Sequence, residues 1–119
     1  MLIRKEQMDT LSVSMLKQFV DRMVAHLKQS FPVQTENTPE DDLRNSIKQS
    51  MKTAEKYDIT DEVDIERYLE CTLLYSHDFD VNPETAWAGE ILRNQDLSGF
   101  EKMNQINDYE LFSLKLGQS

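Results

Sequence analysis

The sequence predicts an all-α fold, a compact antiparallel bundle of four to five helices with a long N-terminal helix. Apolar residues recur at steps of three and four along most of the 119 residues, which is the periodicity of a helix with one buried face. No segment alternates apolar and polar residues between hairpin turns, as a half-buried strand would. Only three glycines and three prolines interrupt the chain, so we expect short connections that place successive helices antiparallel.

The longest predicted helix runs from about residue 5 to about residue 30. One of its faces carries Met8, Leu11, Met15, Phe19, Met23 and Leu27. Proline lacks the amide donor that a continuing helix needs, so Pro32 marks its end. At the helical rise per residue this helix spans about 40 Å. An exposed apolar face on a helix of this length would also allow a homodimer.

Capping residues predict where the other helices begin. Thr38 is expected to cap the second helix, Thr60 the third and Asn82 the fourth, and the fifth follows Gly99. The predicted inward residues include Leu43, Ile47, Val63, Leu69, Trp87, Phe100 and Ile106. From about residue 111 the chain either frays or extends the fifth helix. Residues 1–119 are expected to form a single domain, because this length can bury a core without metal or disulfide support.

The charge of the chain is acidic and unevenly distributed. The net charge is −9, and residues 63–119 hold eleven acidic but only four basic side chains. Such a surface repels phosphate backbones and anionic lipid, so we expect neither nucleic acid nor membrane as a partner. A basic protein partner is compatible with this charge. With a single cysteine and no apolar run long enough for a membrane span or signal peptide, a cytoplasmic location is expected.

Residues 75–92 form the most unusual segment, since they contain the only tryptophan of the chain, a histidine and closely spaced carboxylates. Residues 78–82 imitate the opening of a calcium-binding loop. That loop requires glycine at its sixth position and glutamate at its twelfth, where this chain has Pro83 and Gly89. A metal-binding protein centred on residues 77–82 is therefore only an alternative.

Four residues of this segment are predicted to contact a protein partner: Asp78, Phe79, Asp80 and Trp87. The carboxylates would order the turn or receive a partner's basic side chain. The two aromatic residues flank a helix start, where they either pack against each other as a staple or anchor an interface, because tryptophan is enriched in binding hot spots.

Catalytic equipment is not recognisable in the sequence. There is no nucleophile motif and no glycine-rich phosphate loop. His26 and His77 are isolated in sequence from a second histidine or a nucleophile, and the pair Glu66 and Glu70 reads as a charged helix surface. Cys71 is expected to be buried and inert. We therefore expect a protein that is not an enzyme and that holds no cofactor or metal.

The succession of packing and turn motifs along the chain carries a resemblance. The motifs are Phe19-Val20-Asp21-Arg22-Met23-Val24-Ala25-His26-Leu27, Phe31-Pro32, Ala54-Glu55-Lys56-Tyr57-Asp58-Ile59-Thr60, Asp78-Phe79-Asp80 and Trp87-Ala88. Over most of residues 1–95 the chain resembles small helical proteins encoded beside type VI secretion effectors in Gram-negative bacteria. The group usually has glycine where Ser76 stands and proline where Ala86 stands.

That resemblance implies a non-enzymatic accessory protein of a contact-dependent toxin system. It would be a chaperone or adaptor that binds a secreted effector or a spike component for loading. The alternative is an immunity protein that neutralises its cognate toxin.

Overall fold

Six α-helices and one short 3-10 helix make up the part of the chain that the computed structural model describes, residues 13–117, with side chains described for residues 13–113. The α-helices are α1 (Val13–Ser30), α2 (Pro32–Thr35), α3 (Glu40–Lys56), α4 (Glu62–Leu74), α5 (Ala86–Leu92) and α6 (Gly99–Gly117), and the 3-10 helix spans Pro83–Thr85. No β-strand occurs within these residues, so the all-α prediction is confirmed.

The first helix ends close to the predicted place. α1 stops at Ser30, whereas the predicted start near residue 5 lies outside the described residues. Pro32 does more than end α1, because it occupies the first turn of the one-turn helix α2. The fixed φ of proline suits a first helical position, where no amide donor is needed. At the other end of the chain, residues from about 111 continue α6 to Gly117.

The capping predictions were close, but two of them were wrong by one residue. Pro39, and not Thr38, is the residue that precedes α3. Asp61, and not Thr60, caps α4, because its side chain accepts a hydrogen bond of 2.9 Å from the backbone amide of Val63. Asn82 does cap, although the helix that it starts is the 3-10 helix.

A reciprocal capping box starts α6. The amide of Ser98 donates to the Glu101 carboxylate at 3.0 Å, and the amide of Glu101 donates to the Ser98 hydroxyl at 3.1 Å. The two side chains thereby satisfy two backbone donors at the helix start.

The turn between α3 and α4 is closed by a Schellman motif. The amide of Ile59 donates to the carbonyl of Ala54, and that of Asp58 donates to the carbonyl of Glu55, both at 3.0 Å. Asp58 has a φ of 62°, the left-handed conformation that this motif requires. The start of α6 packs on this turn so closely that a Cβ at Gly99 would collide with the carbonyl of Asp58.

One apolar cluster forms the core of the described residues. It contains side chains from α1, α3, α4, α5 and α6, among them Leu27, Ile47, Met51, Ile65, Leu69, Leu92, Met103 and Ile106. Helix α1 packs on α3, α3 on α4, and α6 on both α4 and α5. Within this part of the chain, no helix has both the length and the apolar composition to cross a bilayer.

Two residues predicted to face the core are exposed instead. Val63 lies in the first turn of α4, away from the buried face of Ile65 and Leu69. Phe100 is exposed because α6 turns the side of Gly99 and Lys102 towards the turn between α3 and α4. Both positions match the helical period and lie at a helix end, where the period does not reveal which element covers the first turn.

Candidate protein-binding groove

A groove of about 640 Å³ opens where the end of α4 meets α5 and α6. It is lined by Leu74, Tyr75, Trp87, Tyr109, Glu110 and Ser113. We call this surface the aromatic groove. The three contributions from α6 lie at positions i, i+1 and i+4 and therefore share one face of that helix.

Three aromatic rings form one wall of the aromatic groove. Trp87 and Tyr109 stack with ring centroids 4.1 Å apart and ring planes 13° apart. Tyr75 meets Trp87 edge-on, with centroids 5.6 Å apart and planes at 84°. Stacked and edge-to-face pairs are the favourable geometries for aromatic rings, so each ring limits the freedom of the next. The wall remains accessible, since Tyr75 and Tyr109 are exposed and Trp87 is only partly buried.

The loop before α5 holds Trp87 in position. The Thr85 hydroxyl donates to the carbonyl of Phe79 at 2.7 Å, and the Arg93 guanidinium donates to the carbonyl of Asp80 at 2.9 Å. Helix α5 approaches this loop so closely that a Cβ at Gly89 would stand 2.6 Å from the Asp80 carbonyl oxygen. Glycine is therefore required at that position for the close approach.

A carboxyl group lies at the apolar wall. Burial raises the pKa of Glu110, and the nearby hydroxyl of Tyr75 opposes that rise. Burial also raises the pKa of Tyr75, which therefore keeps its proton and remains a donor. A carboxylate that has lost part of its hydration gains more from a cation than one in open solvent does. The aromatic groove thus offers apolar contact beside one anionic group.

A smaller recess of about 370 Å³ continues the aromatic groove along the loop after α4. The two share Leu74, Tyr75 and Trp87, and the recess adds Ser76, Asn82, Glu84 and Thr85. Glu84 is exposed, so the recess also carries negative charge. Together the two depressions combine apolar side chains with two carboxyl groups, those of Glu84 and Glu110.

The four predicted partner-binding residues divide into two pairs. Asp78 is exposed and Trp87 lines the aromatic groove, so both are accessible to a partner. Phe79 is 0% exposed and Asp80 is 8% exposed. A partner that docks on this fold cannot reach Phe79, which corrects its proposed part in a surface. The partner-binding role of the accessible pair stays a prediction.

The two buried members of this set stabilise the interior. Phe79 packs against Tyr68, with ring centroids 5.0 Å apart, and the Asp80 carboxylate accepts a 2.7 Å hydrogen bond from the hydroxyl of Tyr57. Closely spaced carboxylates in a sequence look exposed, but the turn of residues 77–81 directs Phe79 and Asp80 inward and leaves Asp78 at the surface. Asp80 is tolerated there because a donor meets it.

The two carboxylates of residues 77–82, Asp78 and Asp80, form hydrogen bonds with different groups and do not converge on one point. Asp78 accepts hydrogen bonds from the Ser76 hydroxyl at 2.6 Å and from the Asn82 amide at 3.3 Å, and these bonds lower its pKa. Asp80 faces Tyr57 instead. The described residues do contain one group of three side chains that could share a metal ion, His26 with Glu66 and Glu70, and it lies outside residues 77–82.

Sequence reasoning missed this second cluster and the contribution of α6 to the aromatic groove. Glu66 and Glu70 were recognised as a pair on one helix face, but the packing of His26 beside them depends on contacts between residues 44 positions apart. Nothing in the sequence marks Tyr109 or Glu110 as part of a binding surface, because both lie within an ordinary helical segment. Cys71 is buried as expected, and burial raises its pKa to about 12, so it is a thiol and not a thiolate.

Comparison of the chain with protein-family models, with curated proteins and with solved structures returned no match.

Proposed function

We propose that this protein is a non-enzymatic binding protein that holds a basic segment of a partner protein in the aromatic groove. The observation that supports the proposal best is the stacked pair of Trp87 and Tyr109 beside the partly desolvated Glu110. Rigid aromatic side chains supply much contact area at little entropic cost and dominate interface energies. The carboxylate adds selectivity for a segment that presents a lysine or arginine next to an apolar side chain.

The partner that we propose is a secreted type VI effector, bound in the cytoplasm before loading, so that the protein acts as a chaperone or adaptor. This assignment rests on the resemblance of residues 1–95 to proteins encoded beside such effectors. The net charge of −9 supports it, because an acidic body attracts a basic partner and repels nucleic acid.

The test is a calorimetric binding measurement between the purified full chain and the effector encoded beside it. Trp87→Ala is expected to raise the Kd about 30-fold or more, the effect of losing one hot-spot aromatic residue. The matched control is Val33→Ala on α2, which removes an exposed apolar side chain (75% exposed) outside the aromatic groove and should leave the Kd unchanged. Far-UV circular dichroism checks that both variants remain helical.

Two results would overturn parts of the proposal. If Trp87→Ala binds the effector as tightly as the unchanged chain, the aromatic groove is not the interface. If the unchanged chain does not bind the effector at all, the effector assignment is wrong. Once binding is established, gene deletion separates the two accessory roles: a chaperone's loss lowers effector secretion, whereas an immunity protein's loss makes cells sensitive to their siblings.

A further inference from the structure

His26, on α1, lies beside two carboxylates of α4, Glu66 and Glu70, neither of which lines the aromatic groove. Its Nε2 atom is 2.7 Å from an oxygen of Glu70 and 3.8 Å from an oxygen of Glu66. One ligand atom from each of the three side chains can be chosen so that all lie within 4.8 Å of one another. The three side chains are 31%, 33% and 29% exposed for His26, Glu66 and Glu70, so an ion could enter from solvent.

These separations suit one small metal ion. Two ligands on a tetrahedral ion with bonds of about 2.0–2.1 Å stand about 3.3 Å apart. The distance from His26 Nε2 to the Glu70 oxygen, 2.7 Å, is shorter than that value, and the distance to the Glu66 oxygen, 3.8 Å, is longer. Changes in the terminal torsions of the two glutamates would equalise them without moving either helix, because these torsions are broad.

Helix geometry brings the three ligands together. Glu66 and Glu70 are four residues apart and therefore share one face of α4. One turn earlier on both helices, Arg22 of α1 donates to Glu62 of α4 at 3.3 Å. The two helices lie side by side here, and one turn further along α1 His26 stands beside Glu66 and Glu70.

The charge of the cluster also favours a dication. Two carboxylates around one neutral imidazole carry a charge of about −2, and protonating the imidazole compensates only half of it. A divalent ion would neutralise the group completely.

We propose that His26, Glu66 and Glu70 form a binding site for a divalent transition-metal ion, best matched by Zn²⁺, that joins α1 to α4. One nitrogen and two oxygen donors suit Zn²⁺ better than Mg²⁺ or Ca²⁺, which prefer oxygen ligands throughout. Three protein ligands leave a fourth position for water. The site stabilises the contact between the two helices, and its existence does not depend on the function of the aromatic groove.

The experiment is a titration of the chelator-treated full chain with ZnCl₂, followed by calorimetry and by thermal unfolding. The unchanged chain should bind one Zn²⁺ and unfold at a higher temperature in its presence, because an ion that binds only the folded state stabilises it. With Co²⁺ as a spectroscopic probe, visible d–d absorption should report nitrogen and oxygen ligation at low coordination number.

Two variants and two controls make the result specific. Glu66→Gln and Glu70→Gln should each weaken Zn²⁺ binding at least 10-fold and abolish the thermal shift. Glu70→Gln also changes the hydrogen bond with His26 and can lower stability for that reason. Glu66→Gln avoids this effect, because the Glu66 oxygen is 3.8 Å from His26, beyond hydrogen-bond distance. Glu62→Gln, one turn away on the same face, and His77→Ala, the other histidine, should bind Zn²⁺ normally. Absence of binding to the unchanged chain, or equal binding by all four variants, would overturn the proposal.

Discussion

Tyr57 and Tyr68 both lie against the inner end of the loop after α4, but their hydroxyls have different surroundings. Tyr57 donates to the buried Asp80 carboxylate at 2.7 Å, whereas the hydroxyl of Tyr68 has no hydrogen-bond partner among the described residues. Tyr57→Phe should therefore lower the free energy of unfolding by about 1–3 kcal/mol, because a buried carboxylate loses its donor. Tyr68→Phe is the matched control and should change it by less than about 0.5 kcal/mol or raise it. Urea unfolding of both variants gives the comparison, and equal losses would contradict the assigned hydrogen bond.

Glu110 is a residue whose protonation should affect stability. Burial raises its pKa above the ordinary value of 4.5, the neighbouring Glu70 adds to the rise, and Arg67 opposes it. The folded state then holds a proton that the unfolded state releases, so stability falls as the pH rises from about 4.5 through the raised pKa. The hydroxyl of Tyr75 opposes the rise in pKa without reversing its direction.

The variant Glu110→Gln removes this titration while keeping an acceptor for Tyr75. Its melting temperature should fall less between pH 4.5 and pH 7 than that of the unchanged chain. Asp108→Asn, which removes an exposed carboxylate from the same helix, is the control and should leave the pH profile nearly unchanged. Parallel profiles for the unchanged chain and Glu110→Gln would mean that Glu110 is ionised as easily in the folded state as in the unfolded one.

The turn between α3 and α4 is an element whose geometry depends on one backbone conformation. Asp58 adopts a φ of 62°, which costs an alanine about 1–2 kcal/mol and a glycine almost nothing. Asp58→Ala should therefore unfold at a lower urea concentration than Asp58→Gly. Both variants lose the carboxylate that interacts with Lys102, so the difference between them isolates the backbone conformation. Equal midpoints would show that the turn relaxes to a negative φ.

The helices could be predicted from sequence because their signal is local. Apolar periodicity found α1, α3, α4 and α6, since each buries one continuous face. Caps were predicted within one residue, because adjacent residues such as Thr60 and Asp61 are both good caps and only the path of the chain decides between them. Phe100 was misplaced because its exposure depends on how α6 packs on a turn about forty residues earlier.

The candidate sites were less predictable than the helices, because they depend on contacts between residues that are distant in sequence. Trp87 was found because it is the only tryptophan in the chain. Its stacking on Tyr109, and the contact of His26 with Glu70, join helices that are distant in sequence. Asp80 looked like a surface residue because an acidic loop is usually solvated, whereas the turn of residues 77–81 buries both Phe79 and Asp80.

At the scale of the molecule, the single apolar cluster of residues 13–113 predicts cooperative unfolding. Side chains from five helices share that cluster, so no helix retains its packing when another detaches. Trp87 fluorescence, which reports the aromatic groove, and far-UV circular dichroism, which reports all helices, should therefore give the same urea midpoint. Separate midpoints would show that α5 and its loop unfold independently, and would contradict the prediction of one domain.

The charge of the whole molecule and the aromatic groove should control different steps of partner binding. The field of a chain with net charge −9 guides the encounter with a basic segment, and salt screens that field beyond about 10 Å at 0.1 M. Raising the salt concentration should therefore lower the association rate of the effector and change its dissociation rate little. Trp87→Ala acts within the contact, so it should raise the dissociation rate and leave the salt dependence of association intact.

Stopped-flow measurements on both chains test this, and an association rate that is insensitive to salt would mean that the partner segment is not basic. The same measurements on Glu110→Gln connect the two effects, because this carboxylate belongs to both the acidic surface and the groove wall.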